Sequence, residues 1–386
     1  MLNSAFKMSP RERILCMLDG GKPDKVPFAH CDRHLPRGEM ERVARNMGMG
    51  LLCYRPCYIE YVQDVELTVK YEGEYIVRRY DTPVGSVFER LRVGVGYGQA
   101  CFGRDWKGMQ PIRTSFMVKG LEDYRVLKFI AENLHFKPYY YPLEDQDRRL
   151  GEDGIVISTL PYEPMQRLLI EWVGHRLYVD MLKNKDVVEE IFCILEERYE
   201  KELFPIAANS PSKVILYGGN IDSLIVNPKM FEKYYLPTYE KLAGMLHTKG
   251  KLLDVHMDGK LKALSNHISI SKVDIIEAFT PPPTGDLPLD EALELWNDKI
   301  IWINFPSAIS TALGPNQHNV KKFLIELLEK SIPYSNRIMI IASTENFLPE
   351  ENLIAMAEVM EKIRCPIERE TIECIREKLF STASNM

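Results

Sequence analysis

A chain of 386 residues, 45% of them hydrophobic, is long enough to bury one large core or two ordinary ones. Its net charge of −6, with no basic stripe, argues against a nucleic-acid or anionic-membrane surface and leaves small molecules or proteins as partners. No apolar run approaches the roughly 18 residues of a membrane span, and the first residues lack the apolar core of a secretory signal. A cytoplasmic protein without membrane attachment is expected. Its eight cysteines are scattered with no Cys-x-x-Cys pair, as in reduced structural thiols.

In chain order, Ser9 and Pro10 open a short helix that runs to Leu18 and stops at Gly20-Gly21. Residues 26–29 read as strand one, delivering His30, Cys31, Asp32 and Arg33. A helix over 39–46 leads to strand two at 50–54, which delivers Arg55 and Tyr58. From about 67 to 118 the alternating, glycine-rich texture predicts a β-hairpin insertion. A helix over 121–131 and a Tyr/Pro-rich connector over 137–142 follow. Strand three at 154–159 delivers Tyr162 and Glu163, and helices fill 165–173 and 187–203. Strand four at 214–217 is closed by Gly218-Gly219-Asn220, and Asn227-Pro228 opens an amphipathic helix stopped by Gly250. Strand five at 252–255 ends in His256-Met257-Asp258-Gly259. Strand six at 273–277 leads into Phe279 and a proline run, strand seven lies at 300–304, and strand eight at 337–341 leads into Thr344-Glu345-Asn346. Helices over 289–297, 320–330 and 349–362 separate or follow these strands. Eight strands alternating with helices predict an α/β fold, a single (β/α)8 TIM barrel domain over 1–386, with the insertion between strands two and three.

In such a barrel, ligands bind where strands end. His256 is therefore a candidate metal ligand or general acid, or else a buried histidine satisfied by a neighbouring strand. Asp258 would ligate, orient His256, or cap a helix beginning near Lys260. Glu345, after strand eight, is a candidate acid or a solvated loop carboxylate. Glu277 would bind a substrate hydroxyl or cation, or close a strand-end salt bridge. Asn220, Tyr235, Phe279 and Tyr162 are expected to line a substrate pocket, with Phe28, Trp172 and Phe305 as further aromatic candidates. Tyr234 and Tyr235 are adjacent on one helix, so at most one faces the pocket.

Several segments in order resemble one superfamily. Arg11-Glu12-Arg13-Ile14-Leu15 with Lys25-Val26-Pro27-Phe28 is similar to the N-terminal signature of the uroporphyrinogen decarboxylase and cobalamin-dependent methyltransferase superfamily. Asp81-Thr82-Pro83-Val84-Gly85, the stretch Met230 to Pro237, His256-Met257-Asp258-Gly259 and the stretch Phe279 to Asp286 resemble its methyltransferase branch. The resemblance implies a (β/α)8 barrel. It also implies transfer of a methyl group from a small methylated donor, such as a methoxylated aromatic, to cobalamin carried by a separate corrinoid protein. The branch closest to this chain, the O-demethylase (methyl-ether) methyltransferases, spaces two zinc-binding glutamates and a histidine so that counting back from His256 lands on Tyr235 and Asn220. The spacing is kept and both carboxylates are gone, which leaves zinc binding, with His256 as the remaining ligand, an open expectation. A homodimer is likewise left open. The family's decarboxylases bind a tetrapyrrole through an arginine segment of which only Arg33, Leu35 and Pro36 match here, so a lyase is the alternative.

Overall fold

A computed structural model of the chain describes residues 8–35, 37–93, 111–343 and 348–383. Its centre is a closed barrel of eight parallel strands, here β1 to β8: Phe28–Cys31, Gly50–Pro56, Gly154–Thr159, Val214–Leu216, Leu252–His256, Ile275–Phe279, Ile300–Asn304 and Ile338–Ile341. The ring follows chain order, and β8 returns to β1 with Phe28 opposite Ile340 and Ala29 opposite Ile341. The (β/α)8 barrel expected from the alternation is thus the fold, and each strand lies within a few residues of its predicted place. Among the described residues, no helix is long and apolar enough to cross a membrane.

Both faces of the strands are buried, which is why they read as continuous runs of Ile, Val and Leu. One face fills the lumen with Ala29, Leu52, Ile155, Val214, Ile275 and Trp302. The N-terminal helix Pro10–Leu18 adds Ile14, Met17 and Leu18 to this cluster and so closes the bottom of the barrel. A capping box fixes its start, with the Glu12 N–H donating to Ser9 Oγ at 3.1 Å and the Ser9 N–H to Glu12 Oε2 at 2.8 Å. The other strand face packs Ile276, Ile301 and Ile340 against helix residues such as Leu242, Leu246, Leu324 and Leu328. Burial of each such side chain contributes roughly 1.5–3 kcal/mol.

Lys251, Lys299 and Arg337 immediately precede β5, β7 and β8, and each folds its cationic head onto backbone carbonyls at the bottom of the barrel. Lys251 donates to Ser210 O and Ser212 O at 2.6 and 2.8 Å. Lys299 reaches Ser271 O and Val273 O at 3.0 and 3.2 Å, and Arg337 reaches Trp296 O and Lys299 O at 2.8 and 2.9 Å. These cations bind carbonyls at helix ends and tight loops, where backbone partners are few; Trp296 O accepts from the Lys299 N–H as well.

The insertion is wider than the predicted 67–118. Tyr58–Val62 pairs antiparallel with Leu134–Pro138, and between them lies a four-stranded antiparallel sheet in the order Glu66–Glu72, Tyr75–Thr82, Gly85–Arg92, Ile112–Ser115. Residues 94–110 of the expected hairpin lie outside the described residues. The Tyr/Pro connector is divided, since Pro138 ends a strand and Tyr141 begins the helix Tyr141–Leu150. The helix expected after Asn227 also differs: it widens to a five-residue turn over Phe231–Tyr235 before Leu236–His247 continues.

Candidate active site

β5 and β6 run parallel, with His256 opposite Glu277 and Asp254 opposite Ile275. Residues in register on adjacent parallel strands share a face, and here that face is the lumen. His256 Nδ1 meets Glu277 Oε2 at 2.5 Å, and Tyr54, from β2 across the barrel, donates its hydroxyl to Glu277 Oε1 at 3.0 Å. The Glu277 carboxylate is buried, whereas the His256 side chain keeps 19% of its exposure and opens upward. Its Nε2 lies 3.7 Å from Asp258 Oδ2, beyond hydrogen-bond reach but close enough to feel the charge. Burial alone would strip the His256 proton. The Glu277 carboxylate, helped by Asp258, reverses that and holds the pKa well above the usual histidine value. His256 therefore stands at the barrel's carboxyl end as an imidazolium with Nε2–H toward the mouth.

One layer below lies Asp254. Both of its carboxyl oxygens are buried with no hydrogen-bond partner, as is Trp302 Nε1 from β7. Burial first, then the nearby Glu277 charge, push the Asp254 pKa far up, so it sits there as a neutral acid.

The turn after β4 presses against the back of His256. Gly218, Gly219 and Asn220 all adopt positive φ, at 61°, 135° and 55°. A Cβ on Gly218 would meet Glu163 Oε2 at 1.8 Å, and one on Gly219 would meet His256 Cβ at 2.8 Å, so only glycine allows this approach. A buried bracket holds the turn from beneath. Gln166 donates to Gly219 O and Asn220 O at 3.0 and 2.9 Å, and Tyr235 donates to Gln166 Oε1 at 2.7 Å. Glu163 accepts from Tyr239 at 2.5 Å and from the Gly219 N–H at 3.3 Å. Burial raises the Glu163 pKa to about 7. At the surface, Asn220 donates to the Tyr162 hydroxyl at 2.9 Å. Tyr162→Phe should remove only this half-exposed hydrogen bond and lower stability by about 0.5–1.5 kcal/mol; chemical denaturation against the parent measures it.

Of the residues expected at the site, His256, Asp258, Glu277, Asn220 and Tyr162 come together at the mouth. Glu345 lies outside the described residues. Asp258 caps no helix, because Asp286 accepts the Leu261 and Lys262 N–H groups and Asp222 accepts that of Lys260. Tyr235 is fully buried and spends its hydroxyl on Gln166, so it faces the bracket and not the pocket. Tyr234 is also buried, with its hydroxyl on Glu189. Phe279 is turned away too. Alternation from Ile275 and Glu277 would point it inward, but Ala278 takes a φ of 59° and the β6–β7 register shifts there, so Phe279 packs outward on Trp296 at 5.7 Å. Phe28 and Trp172 belong to the layer between strands and helices, and Phe305 packs there on Phe323 at 5.4 Å. His30 is buried, its Nδ1 on Cys31 O at 2.9 Å, with a pKa lowered to about 4 by burial. Tyr54 and Gln166 were not singled out from the sequence, and Glu163 entered it only as a residue delivered by strand three.

The donor set around His256 does not fit zinc as the described residues stand. His256 Nε2 is one suitable donor, but Asn220 offers an amide, Tyr235 is turned into the bracket, and no group of three or more His, Cys, Asp or Glu side chains converges as ligands among the described residues.

No family model matches the chain, and no curated protein matches it. Among solved structures, a methyltransferase from Methanosarcina mazei is similar over 92% of this chain and 98% of its own, with a TM-score of 0.55 and 12% identity. An endo-1,4-β-mannanase from Rhizomucor miehei aligns over 92% of this chain and 96% of its own, with a TM-score of 0.39 and 9% identity. At these identities the first likeness is one of fold: this chain shares the whole-length architecture of that methyltransferase.

Proposed function

We propose that this protein is a methyltransferase that moves a methyl group from a small methylated donor, a methoxylated aromatic or similar methyl ether, to the Co(I) corrinoid of a partner protein. The observation that carries the reading is the imidazolium of His256, fixed by buried Glu277 and aimed at the barrel mouth. The whole-length likeness to a methyltransferase supports the class of reaction.

An ether oxygen is a poor leaving group, so its departure needs a proton supplied as the C–O bond breaks. A corrinoid held by the partner protein would supply the nucleophile for the methyl carbon and keep the methyl group. In this chain, Nε2–H of His256 protonates the departing oxygen, and the product leaves as the alcohol or phenol. Glu277 holds the ring's orientation and stabilises its charge before transfer, and Tyr54 orients Glu277 in turn. Asp258, beside Nε2, faces the same opening and favours return of the proton from solvent. Asn220 and Tyr162 offer polar contacts to the donor at the rim. Leu224 and Leu313, on the loops after β4 and β7, are exposed as an apolar rim suited to a docked protein.

A second reading, a lyase acting on a tetrapyrrole or another carboxylate, is favoured by one feature: Arg33 is exposed above the Tyr54 ring, 5.4 Å from its centroid, where it would bind a substrate carboxylate. One experiment separates the two. Methyl transfer to Co(I) cobalamin, followed by its visible spectrum over a panel of methyl ethers, is expected for the parent and lost in His256→Ala. Release of CO2 from a carboxylate substrate, with no transfer from any methyl ether, would move the assignment to the lyase.

A further inference from the structure

The four-stranded sheet of the insertion ends in a strand with a free side. Glu66–Glu72 pairs with Tyr75–Thr82 in unbroken register, and among the described residues no strand pairs with its other edge. A row of backbone N–H and C=O groups is therefore open along it. Its side chains alternate, and Leu67, Val69 and Tyr71 share one face while 51%, 44% and 78% exposed. Two strands further in, Val87 and Leu91 on the same face are buried by the body of the protein. Edge strands are usually blunted by proline, a bulge or inward-pointing charge. This one has no proline or bulge, and its apolar face carries none of its charges.

We propose that Glu66–Glu72 is a self-association edge, to which a second copy of this chain adds its own Glu66–Glu72 antiparallel, joining the two sheets into one. The charges point to a second copy. Only pairings centred on a residue keep the apolar faces of both copies on one side. Centring on Thr68 sets Glu66 opposite Lys70 twice and Leu67 opposite Val69 twice within the strand, while Tyr71 and Glu72 pass its end, toward Val65 and Asp64, where the left-handed Asp64 breaks the extended chain. Centring on Val69 sets Glu66 against Glu72, and centring on Lys70 sets two lysines face to face. Centring on Leu67 carries Lys70 off the strand, opposite Asp64 in the preceding turn. Of the registers that overlap more than half of the strand, centred on Thr68, Val69 and Lys70, only the first opposes unlike charges, a cross-strand contact that stabilises sheets, so the Thr68-centred register is the one selected.

Sedimentation of the full-length protein tests this. The parent should run as a dimer at micromolar concentration, whereas Lys70→Glu and Glu66→Lys, each putting like charges opposite one another twice, should run as monomers. Mixing the two variants in equal amounts should restore a dimer, because both pairs between positions 66 and 70 then join a Glu to a Lys. A monomeric parent, single variants that stay dimeric, or a mixture that stays monomeric would each overturn the proposal.

Discussion

Glu277→Gln is expected to convert His256 from imidazolium to neutral imidazole near pH 7, and with it to lower methyl transfer by roughly 10²–10⁴-fold, the range for loss of a positioned general acid. The variant should also lose about 3 kcal/mol of stability, the lower end for breaking a buried pair, because His256 can shed its proton once the carboxylate is gone. The pH dependence has a definite sign. The folded pKa of His256 lies well above its ordinary value. The stability contributed by the pair is therefore fully present below about pH 6.5 and is lost as pH rises through the folded pKa. The deficit of the variant should be largest at mildly acid pH and shrink in alkali. Nuclear magnetic resonance titration of the His256 ring, with urea unfolding at several pH values, checks both halves. A ring that titrates as in the parent, or a deficit that does not change with pH, would remove the acid from the proposed mechanism.

Asp254→Leu should stabilise the protein by about 1–3 kcal/mol at neutral pH, since an unsatisfied buried polar group carries a desolvation penalty of that order. Its raised pKa means that the folded chain keeps a proton that the unfolded chain releases. Parent stability therefore falls as pH rises from about 4 toward the folded pKa. The advantage of the leucine variant should be small at acid pH and grow toward neutrality. Thermal melting of both proteins across that range measures the difference, in which the other titrating groups largely cancel. A destabilised leucine variant at pH 7 would mean that the Asp254 proton has a partner in the site, and that this acid is part of the working chemistry.

The barrel was legible because its strands are continuous apolar runs separated by amphipathic helices, a pattern that survives without knowledge of which strand touches which. The extra pair Tyr58–Val62 with Leu134–Pro138 was not, because neither half carries a local sign of a partner more than seventy residues away. The site was half legible. His256 and Asp258 could be placed from the strand end alone. Joining Glu277 to His256 needed the parallel register of β5 and β6, although counting alternate residues from Leu252 and Ile275 would have turned both side chains inward. The same counting fails for Phe279, where a left-handed Ala278 resets the alternation. Tyr235 shows the other limit. Its spacing from His256 matched a ligand position, but Gln166, distant in sequence, claims its hydroxyl.

The return of β8 to β1 has a consequence for how the chain is made. Residues 28 and 340 must meet before the ring exists, so a chain emerging from the ribosome carries β1 with one edge unpaired until β8 has been synthesised, about three hundred residues later. The helix Pro10–Leu18 packs on β2, β3 and the turn Ile332–Arg337 that leads into β8, so the plug cannot seat fully until that moment either. Until β8 joins, β1 and the growing end of the sheet each keep an unpaired edge, and closure of the ring removes both at once.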